Sequence, residues 1–193
     1  MRGNYLGDTA AFLAETLIGL YMLAVLLRFL LQWVRADFYN PISQFLVRLT
    51  NPPLKWLRRI VPGLWGVDLS SLVLLLALAL IKIHLVLALR GRWPSFGGAL
   101  VLAAGDILQV TYYVFFGALL LSVIASWVAP HSRHPGLRLV DSLTEPLLAP
   151  IRRLLPAMGG LDFSPILAFI ALEAFRRLVI LPILDLGVLL ALS

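Results

Sequence analysis

Two arginine pairs, each followed by an aspartate, are the residues whose types and spacing could do chemistry. The first set is Arg58, Arg59 and Asp68, and the second is Arg152, Arg153 and Asp162. Guanidinium groups bind phosphates and carboxylates through paired donors. A carboxylate at the start of a helix is also stabilised by the helix dipole. We therefore expect the aspartates to form helix caps and ion pairs, and the arginines to contact lipid headgroups or a partner, without catalysis.

Four further charged residues fall inside long apolar runs. They are Glu15, Lys82, Glu173 and Arg176. A charge within a bilayer is costly and by default suggests a substrate or ion path. Glu173 precedes Arg176 by three positions, which is an ion-pair spacing on a helix, and Glu15 is a candidate partner for Lys82. Structural pairing, with side chains reaching the headgroups, explains the same residues without transport, and the sequence leaves both interpretations open.

Motifs of the common enzyme classes are absent from the sequence. It contains no phosphate-binding loop, no HExxH zinc motif and no GxSxG nucleophile elbow. It also has no cysteine, which excludes disulfides, thiolate zinc sites and iron–sulfur clusters. His131 and His134 form a two-histidine pair without a third ligand in view. We predict that the protein is not an enzyme and has no catalytic residue, metal site or cofactor, and we find no nucleic-acid module.

The elements that must carry these residues follow from the composition. Of 193 residues, 61% are hydrophobic and 13% are charged, whereas about a quarter are charged in soluble domains. Because a helix needs about 20 apolar residues to cross a bilayer, four runs qualify. They lie near residues 11–34, 69–89, 107–128 and 163–192. The sequence therefore predicts an all-α membrane protein with four transmembrane helices.

An internal repeat of 94 residues organises the chain. Shifting the sequence by 94 positions aligns its two halves without a gap, so residues 1–94 and 95–193 are the predicted units. The identical pairs include Trp33/Trp127, Pro41/Pro135, Leu49/Leu143, Thr50/Thr144, Pro52/Pro146, Leu54/Leu148, Arg58/Arg152, Arg59/Arg153, Pro62/Pro156, Gly66/Gly160, Asp68/Asp162 and Ser70/Ser164. Since each unit holds two spans, both units enter the membrane in the same direction. We predict two tandem parallel repeats.

The segment between the two spans of each repeat has a helical pattern of its own. Asn40–Pro41 and His134–Pro135 are typical helix starts. The motifs at 50–52 and 144–146 predict a break followed by a second start. After that break, apolar residues share one face and the basic residues project elsewhere. This indicates a short amphipathic helix in the interface, its arginines meeting lipid phosphates; a connector whose arginines only set topology is the alternative.

The basic residues also predict orientation. The loops after the first and third spans hold nine of them: Arg35, Arg48, Lys55, Arg58, Arg59, Arg133, Arg138, Arg152 and Arg153. The opposite side holds three: Arg2, Arg90 and Arg92. Under the positive-inside rule, both long loops are cytoplasmic and both termini are periplasmic in a bacterial inner membrane. The expected partners are the lipid bilayer, its anionic headgroups, and a membrane protein or a second copy of the chain.

The segment TEPLLAPIRRLLPAMGGLDFSP, residues 144–165, resembles the signature of the YggT family of small bacterial membrane proteins. Residues 50–71 are a degenerate copy of it. They depart at Asn51, Trp56, Trp65 and Ser71, where the family has an acid, a proline, a glycine and a proline. The resemblance covers about residues 20–180, and two-repeat members are a common form of the family.

The resemblance implies a multi-pass plasma-membrane protein without agreed catalytic residues. Family members have been linked to osmotic or ion homeostasis, YlmG-type relatives to cell division, and plastid relatives to cytochrome b6 haem assembly. We therefore expect a non-enzymatic protein that supports ion or osmotic homeostasis or assists transport. The alternative is a scaffold or assembly factor, for cell division or for cytochrome and haem maturation, that recruits partners through its basic cytoplasmic segments.

Overall fold

The computed structural model describes residues 5–63, 66–128, 134–155 and 162–192. All regular elements in these ranges are helices: α1 (Tyr5–Trp33), α2 (Pro41–Ile60), α3 (Leu69–Leu89), α4 (Phe96–Val128), α5 (Pro135–Leu154), α6 (Ser164–Phe175), a π-helical turn (Arg176–Ile180) and α7 (Leu181–Leu192). Among the residues used above, Arg2, Trp65, His131, Arg133, Pro156 and Gly160 lie outside these ranges.

Three of the helices are long and apolar enough to cross a membrane, namely α1, α3 and α4. The protein is therefore an all-helical protein of the membrane type. The fourth predicted span coincides with α6, the π-helical turn and α7, which follow one another directly. Its crossing of the membrane stays a prediction. Helix α4 begins at Phe96, eleven residues before the predicted edge of the third span, so Asp106 lies inside the helix.

The apolar helices form two packed pairs that meet along a common side. Helix α1 packs along α3, α4 packs along α7, and the α3–α4 contact joins the two pairs. Helices α4 and α7 come close because their contact residues are small: a Cβ added to Gly98 would lie 2.1 Å from the backbone nitrogen of Ala191. Small residues allow such close packing where lipid offers no hydrophobic driving force for association.

Helices α2 and α5 begin where the sequence predicts. The Asn40 side chain accepts a hydrogen bond from the Ile42 N–H, and His134 Nδ1 accepts one from the Gly136 N–H at 3.1 Å. Side-chain acceptors at this position satisfy backbone donors that the first helical turn leaves open. Both ends of α5 lie 94 residues after the corresponding ends of α2, the same offset as the sequence repeat.

The predicted breaks at 50–52 and 144–146 are wrong. Helix α2 runs through Pro52 and Pro53, and α5 runs through Pro146 and Pro150. A proline deprives the carbonyl four residues earlier of its donor. The carbonyl opposite Pro53 is that of Leu49, and the Tyr21 hydroxyl of α1 lies 3.4 Å from it as a donor. Packing of the neighbouring Leu54, which is fully buried, holds the helix together across this weak point.

Candidate functional site

The two predicted Arg–Asp pairs are both formed. Arg58 donates a hydrogen bond to the Asp68 carboxylate, and Arg152 Nε donates to Asp162 Oδ2 at 3.1 Å. Each pair connects the end of an amphipathic helix to the start of the next apolar helix. In the first pair the chain turns through Gly66, whose φ of +81° favours glycine. The prediction of an ion pair at these aspartates is confirmed. The predicted helix cap is wrong for Asp68, which lies at the N-cap position of α3 but makes no side-chain cap hydrogen bond.

The two pairs differ in burial and in their additional partners. The side chain of Asp68 is 5% exposed, whereas that of Asp162 is 48% exposed. Burial by itself would raise the pKa of Asp68, but hydrogen bonds from Arg58 and Ser71 outweigh it and hold that pKa below its usual value. The pKa of Asp162 is lowered by its hydrogen bond from Ser164, and Arg152 adds to the effect. The first carboxylate is thus buried and the second exposed, whereas the two arginines are similarly exposed, at 38% and 43%.

The second pair has a third member that the first lacks. Arg152 Nη1 donates to Glu145 Oε2 at 2.8 Å, and Asn51 occupies the equivalent position of the first repeat. Partial burial disfavours the charged form of Arg152, but the carboxylates of Glu145 and Asp162 outweigh it and raise its pKa. Among the described residues, Arg152 therefore lies between two carboxylates, whereas Arg58 contacts one.

The second arginine of each pair is exposed. The Arg59 guanidinium carbon lies 4.8 Å from the centroid of the Trp56 ring, a cation–π contact, and Arg153 is exposed at the end of α5. Of the four arginines singled out from the sequence, Arg58 and Arg152 are held by carboxylates. Arg59 and Arg153 remain available to lipid or to a partner.

Lys82 is paired with a residue that the sequence analysis missed. Its Nζ donates to Asp106 Oδ1 at 2.8 Å and lies 2.7 Å from Oδ2, so the pair bridges α3 and α4. The predicted pairing of Lys82 with Glu15 is wrong. Glu15 is exposed and lies 3.9 Å from Arg90 at the end of α3. Lys82 instead faces α4, where Asp106 becomes available because that helix begins at Phe96.

A second polar cluster surrounds Glu173. Its carboxylate accepts hydrogen bonds from Arg176 at 3.3 Å, from Arg177 at 2.6 Å and from the Tyr112 hydroxyl at 2.9 Å. The predicted Glu173–Arg176 pairing is confirmed, and Tyr112 is an addition from α4. The spacing of Glu173 and Arg176 on one helix predicted their contact. No sequence pattern could predict the contact with Tyr112, which lies on another helix.

The π-helical turn begins at Arg176, and its cause lies six residues later. Pro182 has no N–H, and its ring would clash with the Leu178 carbonyl in a regular α-helix. The turn widens, and the Leu181 N–H bonds the Arg176 carbonyl five residues back. Such turns occur frequently at functional sites, so this polar cluster is a candidate site within the apolar helices.

Arg28 is a buried charged residue that the sequence analysis did not identify as a candidate. It is 5% exposed, and its Nη1 donates to Thr50 Oγ1 at 2.9 Å. With Gln32, Arg58 and Asp68 it lines an open cavity of about 670 Å³. A cavity of about 510 Å³ occupies the equivalent place in the second repeat and is lined by Ser122, Ser126, Arg152 and Asp162. The four positions correspond one to one at the 94-residue offset.

Within the part of the chain that the structure describes, no three potential ligands among histidine, aspartate and glutamate gather to hold a metal ion. The apolar long helices and the amphipathic helices between them define a helical membrane protein. The family model described as CCB3/YggT matches residues 7–89 and again residues 101–183. The chain therefore belongs to the CCB3/YggT family, as the motif at residues 144–165 predicts.

Curated relatives match along most of their length. An uncharacterized protein of Pseudomonas aeruginosa is 53% identical over 178 residues, which cover 91% of this chain and 90% of the relative. The uncharacterized protein YggT of Escherichia coli K12 is 40% identical over 167 residues, 86% of each chain. A protein of Vibrio alginolyticus, from the 3′ region of proC, is 39% identical over 168 residues, 86% of this chain and 90% of the relative. No solved structure matches the chain.

Proposed function

We propose that this chain is a non-enzymatic, four-span protein of the bacterial inner membrane that serves as a membrane-surface scaffold. Helices α2 and α5 lie at the cytoplasmic face and both termini lie in the periplasm. Helix α2 lies in the anionic headgroup layer and recruits a membrane-protein partner there. The observation that carries this proposal is the division of the α2 surface into three separate stripes.

Each stripe of α2 suits a different environment. The stripe packed on the bundle is buried and consists of Ser43, Leu46, Thr50 and Leu54. The polar stripe is exposed and consists of Gln44, Arg48, Asn51, Lys55 and Arg59. The third stripe is exposed and apolar and consists of Ile42, Phe45, Leu49, Trp56 and Ile60. At 3.6 residues per turn, the three stripes lie roughly 120° apart around the helix.

This arrangement suits a helix at the boundary between lipid and water. The exposed apolar stripe faces the acyl chains, the polar stripe faces the headgroups and the cytoplasm, and the buried stripe holds the helix on the bundle. Trp56 lies between basic residues, as aromatic side chains do at the level of the headgroups. The basic residues then attract anionic lipid by roughly 1 kcal/mol each.

Helix α5 has a different surface. Helix α2 carries four basic residues and no acidic one, whereas α5 carries three basic residues together with Asp141 and Glu145. Two positions of the apolar stripe correspond to Leu139 and Leu143 of α5, which are buried. We therefore assign the recruiting surface to α2 and treat α5 as a helix that packs on the bundle.

The experiment tests the polar stripe by cross-linking in cells. A variant with Arg48, Lys55 and Arg59 changed to glutamine is expected to lose the partner cross-links formed by the wild type, while the protein still inserts. The matched control changes Arg138 and Arg153 of α5 to glutamine and keeps the cross-links. Retention in the α2 variant, or equal loss in both, would contradict the proposal.

A second candidate function, ion or osmotic homeostasis, is favoured by the polar groups among the apolar helices. Lys82 and Asp106 pair between α3 and α4, and the buried Gln109 Nε2 and Arg176 Nε have no hydrogen-bond partner among the described residues. Transport predicts potassium flux in proteoliposomes that Lys82→Met or Arg176→Met abolishes. Flux equal to that of protein-free vesicles would exclude this candidate.

A further inference from the structure

The cavity of the first repeat is lined by two arginines and one aspartate, which leaves one positive charge in excess. Arg58 and Asp68 neutralise each other. Arg28 has no acidic side chain within ion-pair distance among the described residues, and its one described hydrogen bond goes to the neutral Thr50 hydroxyl. Its Nε is buried and has no partner in the same ranges. Arg28 is 5% exposed as a residue, and a buried guanidinium without a carboxylate at ion-pair distance is costly, so a bound anion would offset that cost.

The other groups at the cavity favour an anion. Gln32 lies one turn after Arg28 on the same face of α1 and lines the cavity with an amide that can donate. Helix α3 begins at Leu69, so the positive end of its dipole points to the same place. The Asp68 carboxylate, which would repel an anion, is occupied by Arg58 and by the Ser71 hydroxyl at 2.8 Å.

We propose that this cavity binds one phosphate group through Arg28, Gln32 and Arg58. The phosphate is that of an anionic phospholipid headgroup or a free phosphate ion. The site lies at the ends of α1 and α2 and the start of α3, which is the headgroup level if α2 lies as proposed above; the lipid source, but not the anion site, rests on that proposed function. A phospholipid would enter through the open side of the cavity.

The second repeat provides an internal comparison. Ser122 and Ser126 stand where the first cavity has Arg28 and Gln32, and Arg152 is held between Glu145 and Asp162. The lining of this cavity has one arginine and one aspartate, and the arginine is shared with a second carboxylate, so among the described residues no positive charge is in excess there to hold a phosphate. The same fold position therefore binds an anion in one repeat and not in the other.

The test measures lipid retention on the whole protein. The chain is reconstituted into phosphatidylcholine nanodiscs with a minor fraction of phosphatidylglycerol, and native mass spectrometry counts the lipids that remain after release. The wild type is expected to retain one phosphatidylglycerol, and Arg28→Gln to lower its retention at least about tenfold, because a buried charge contact is lost. A parallel arm adds inorganic phosphate to the protein in neutral detergent and records the melting temperature.

Two further variants distinguish a change in the charge of the cavity from a loss of folding. Gln32→Glu keeps Arg28 and supplies the missing carboxylate, so it is expected to lose phosphatidylglycerol as Arg28→Gln does while the protein stays folded. The matched control, Ser126→Glu, adds the same charge at the equivalent position of the second cavity and leaves retention unchanged. Selective retention of phosphatidylglycerol supports a lipid source, and stabilisation by inorganic phosphate alone supports a free ion.

Three results would overturn the proposal. They are a Gln32→Glu variant that still responds like the wild type to the probe that the wild type binds, an equal loss of that response in Ser126→Glu, and no response of the wild type to either probe. The cross-linking of partners to α2 is measured on different residues, so a failure there leaves the anion site standing. Loss of the anion site likewise leaves the scaffold proposal testable by itself.

Discussion

At the scale of single residues, each of the two aspartates of the repeated motif pairs with an arginine, but one aspartate is buried and the other is exposed. Asp68 is enclosed and bonded to Arg58 and Ser71, whereas Asp162 is half exposed beside Arg152. A buried carboxylate is shielded from water and interacts more strongly with its hydrogen-bond donors, whereas an exposed pair is screened and contributes little. The same substitution should therefore have different consequences in the two repeats.

Asp68→Asn is expected to destabilise the protein by about 1–3 kcal/mol, because the buried carboxylate that accepts hydrogen bonds from Arg58 and Ser71 loses its charge. Asp162→Asn, its matched control, is expected to cost less than about 1 kcal/mol. Thermal unfolding in detergent measures both. Equal effects would show that burial does not distinguish the pairs.

The lowered pKa of Asp68 predicts how stability depends on pH. A carboxyl whose pKa is lower in the folded state stabilises the protein above its unfolded pKa, about 3.9, and this contribution is lost as pH falls through the folded pKa. The melting temperature of the wild type should therefore exceed that of Asp68→Asn at pH 6–7, and the difference should narrow below about pH 4. A difference that widens in acid would contradict this assignment.

At the scale of elements, the contact of α4 with α7 depends on residues without bulk. Gly98 lies against the backbone of Ala191. Next to this contact, the Ser95 hydroxyl donates to the Leu190 carbonyl at 2.6 Å, and its N–H donates to the Ala191 carbonyl. These bonds satisfy carbonyls at the end of α7 that the helix itself leaves open. The close backbone contact and the hydrogen bonds to the last carbonyls of α7 hold the two helices in one register.

Gly98→Ala is expected to lower stability by at least about 2 kcal/mol, because its methyl group would overlap backbone atoms of α7 that have no room to move. The neighbouring Gly97→Ala is the control. A Cβ there meets nothing within 4 Å, and alanine favours the helix by up to about 1 kcal/mol. Unfolding in detergent compares the two variants, and a neutral Gly98→Ala would mean that α4 and α7 are not in close contact.

At the scale of the whole molecule, the Lys82–Asp106 pair joins the α1–α3 pair of helices to the α4–α7 pair. Both side chains are largely enclosed, with exposures of 12% and 24%. Lipid cannot solvate a charge left alone at such a place. The ion pair thus adds specificity to the contact of α3 with α4, beyond what apolar packing provides.

Lys82→Met and Asp106→Leu are each expected to destabilise the protein by about 3–5 kcal/mol, because each leaves one charge unpaired. The double variant is expected to recover to within about 1 kcal/mol of the wild type, since two apolar side chains replace the pair. Denaturation in detergent measures the stability of the wild type, the two single variants and the double variant, which together form a double-mutant cycle. Additive losses in the double variant would mean that the two residues do not act together.

The topology of the whole chain can be tested because the chain has no cysteine. Single cysteines at Lys55 and Arg138 are expected to resist a membrane-impermeant thiol reagent in cells whose outer membrane is permeabilised. A cysteine at Arg92 is expected to react. Labelling of Lys55→Cys or Arg138→Cys without lysis would contradict the four-span arrangement with cytoplasmic α2 and α5.

The features that depend on neighbours along the chain could be predicted from the sequence. Composition is enough to identify apolar helices, the caps at Asn40 and His134 are local signals, and the spacing of Glu173 and Arg176 places them on one helix face. The duplicated Arg–Asp motif also identified the family, because its prolines, glycines and charges recur together at a constant offset.

The continuity of α2, the contacts between helices and the surroundings of Arg28 were decided by the tertiary structure alone. Pro52 and Pro53 favour a break by local rules, but packing of α2 on α1 keeps the helix continuous. The partner of Lys82 and the Tyr112 bond to Glu173 depend on which helix faces which. The uncompensated charge of Arg28 depends on what surrounds it. Each of these features depends on residues that are far apart in sequence. They come together through the packing of whole helices, which no local pattern encodes.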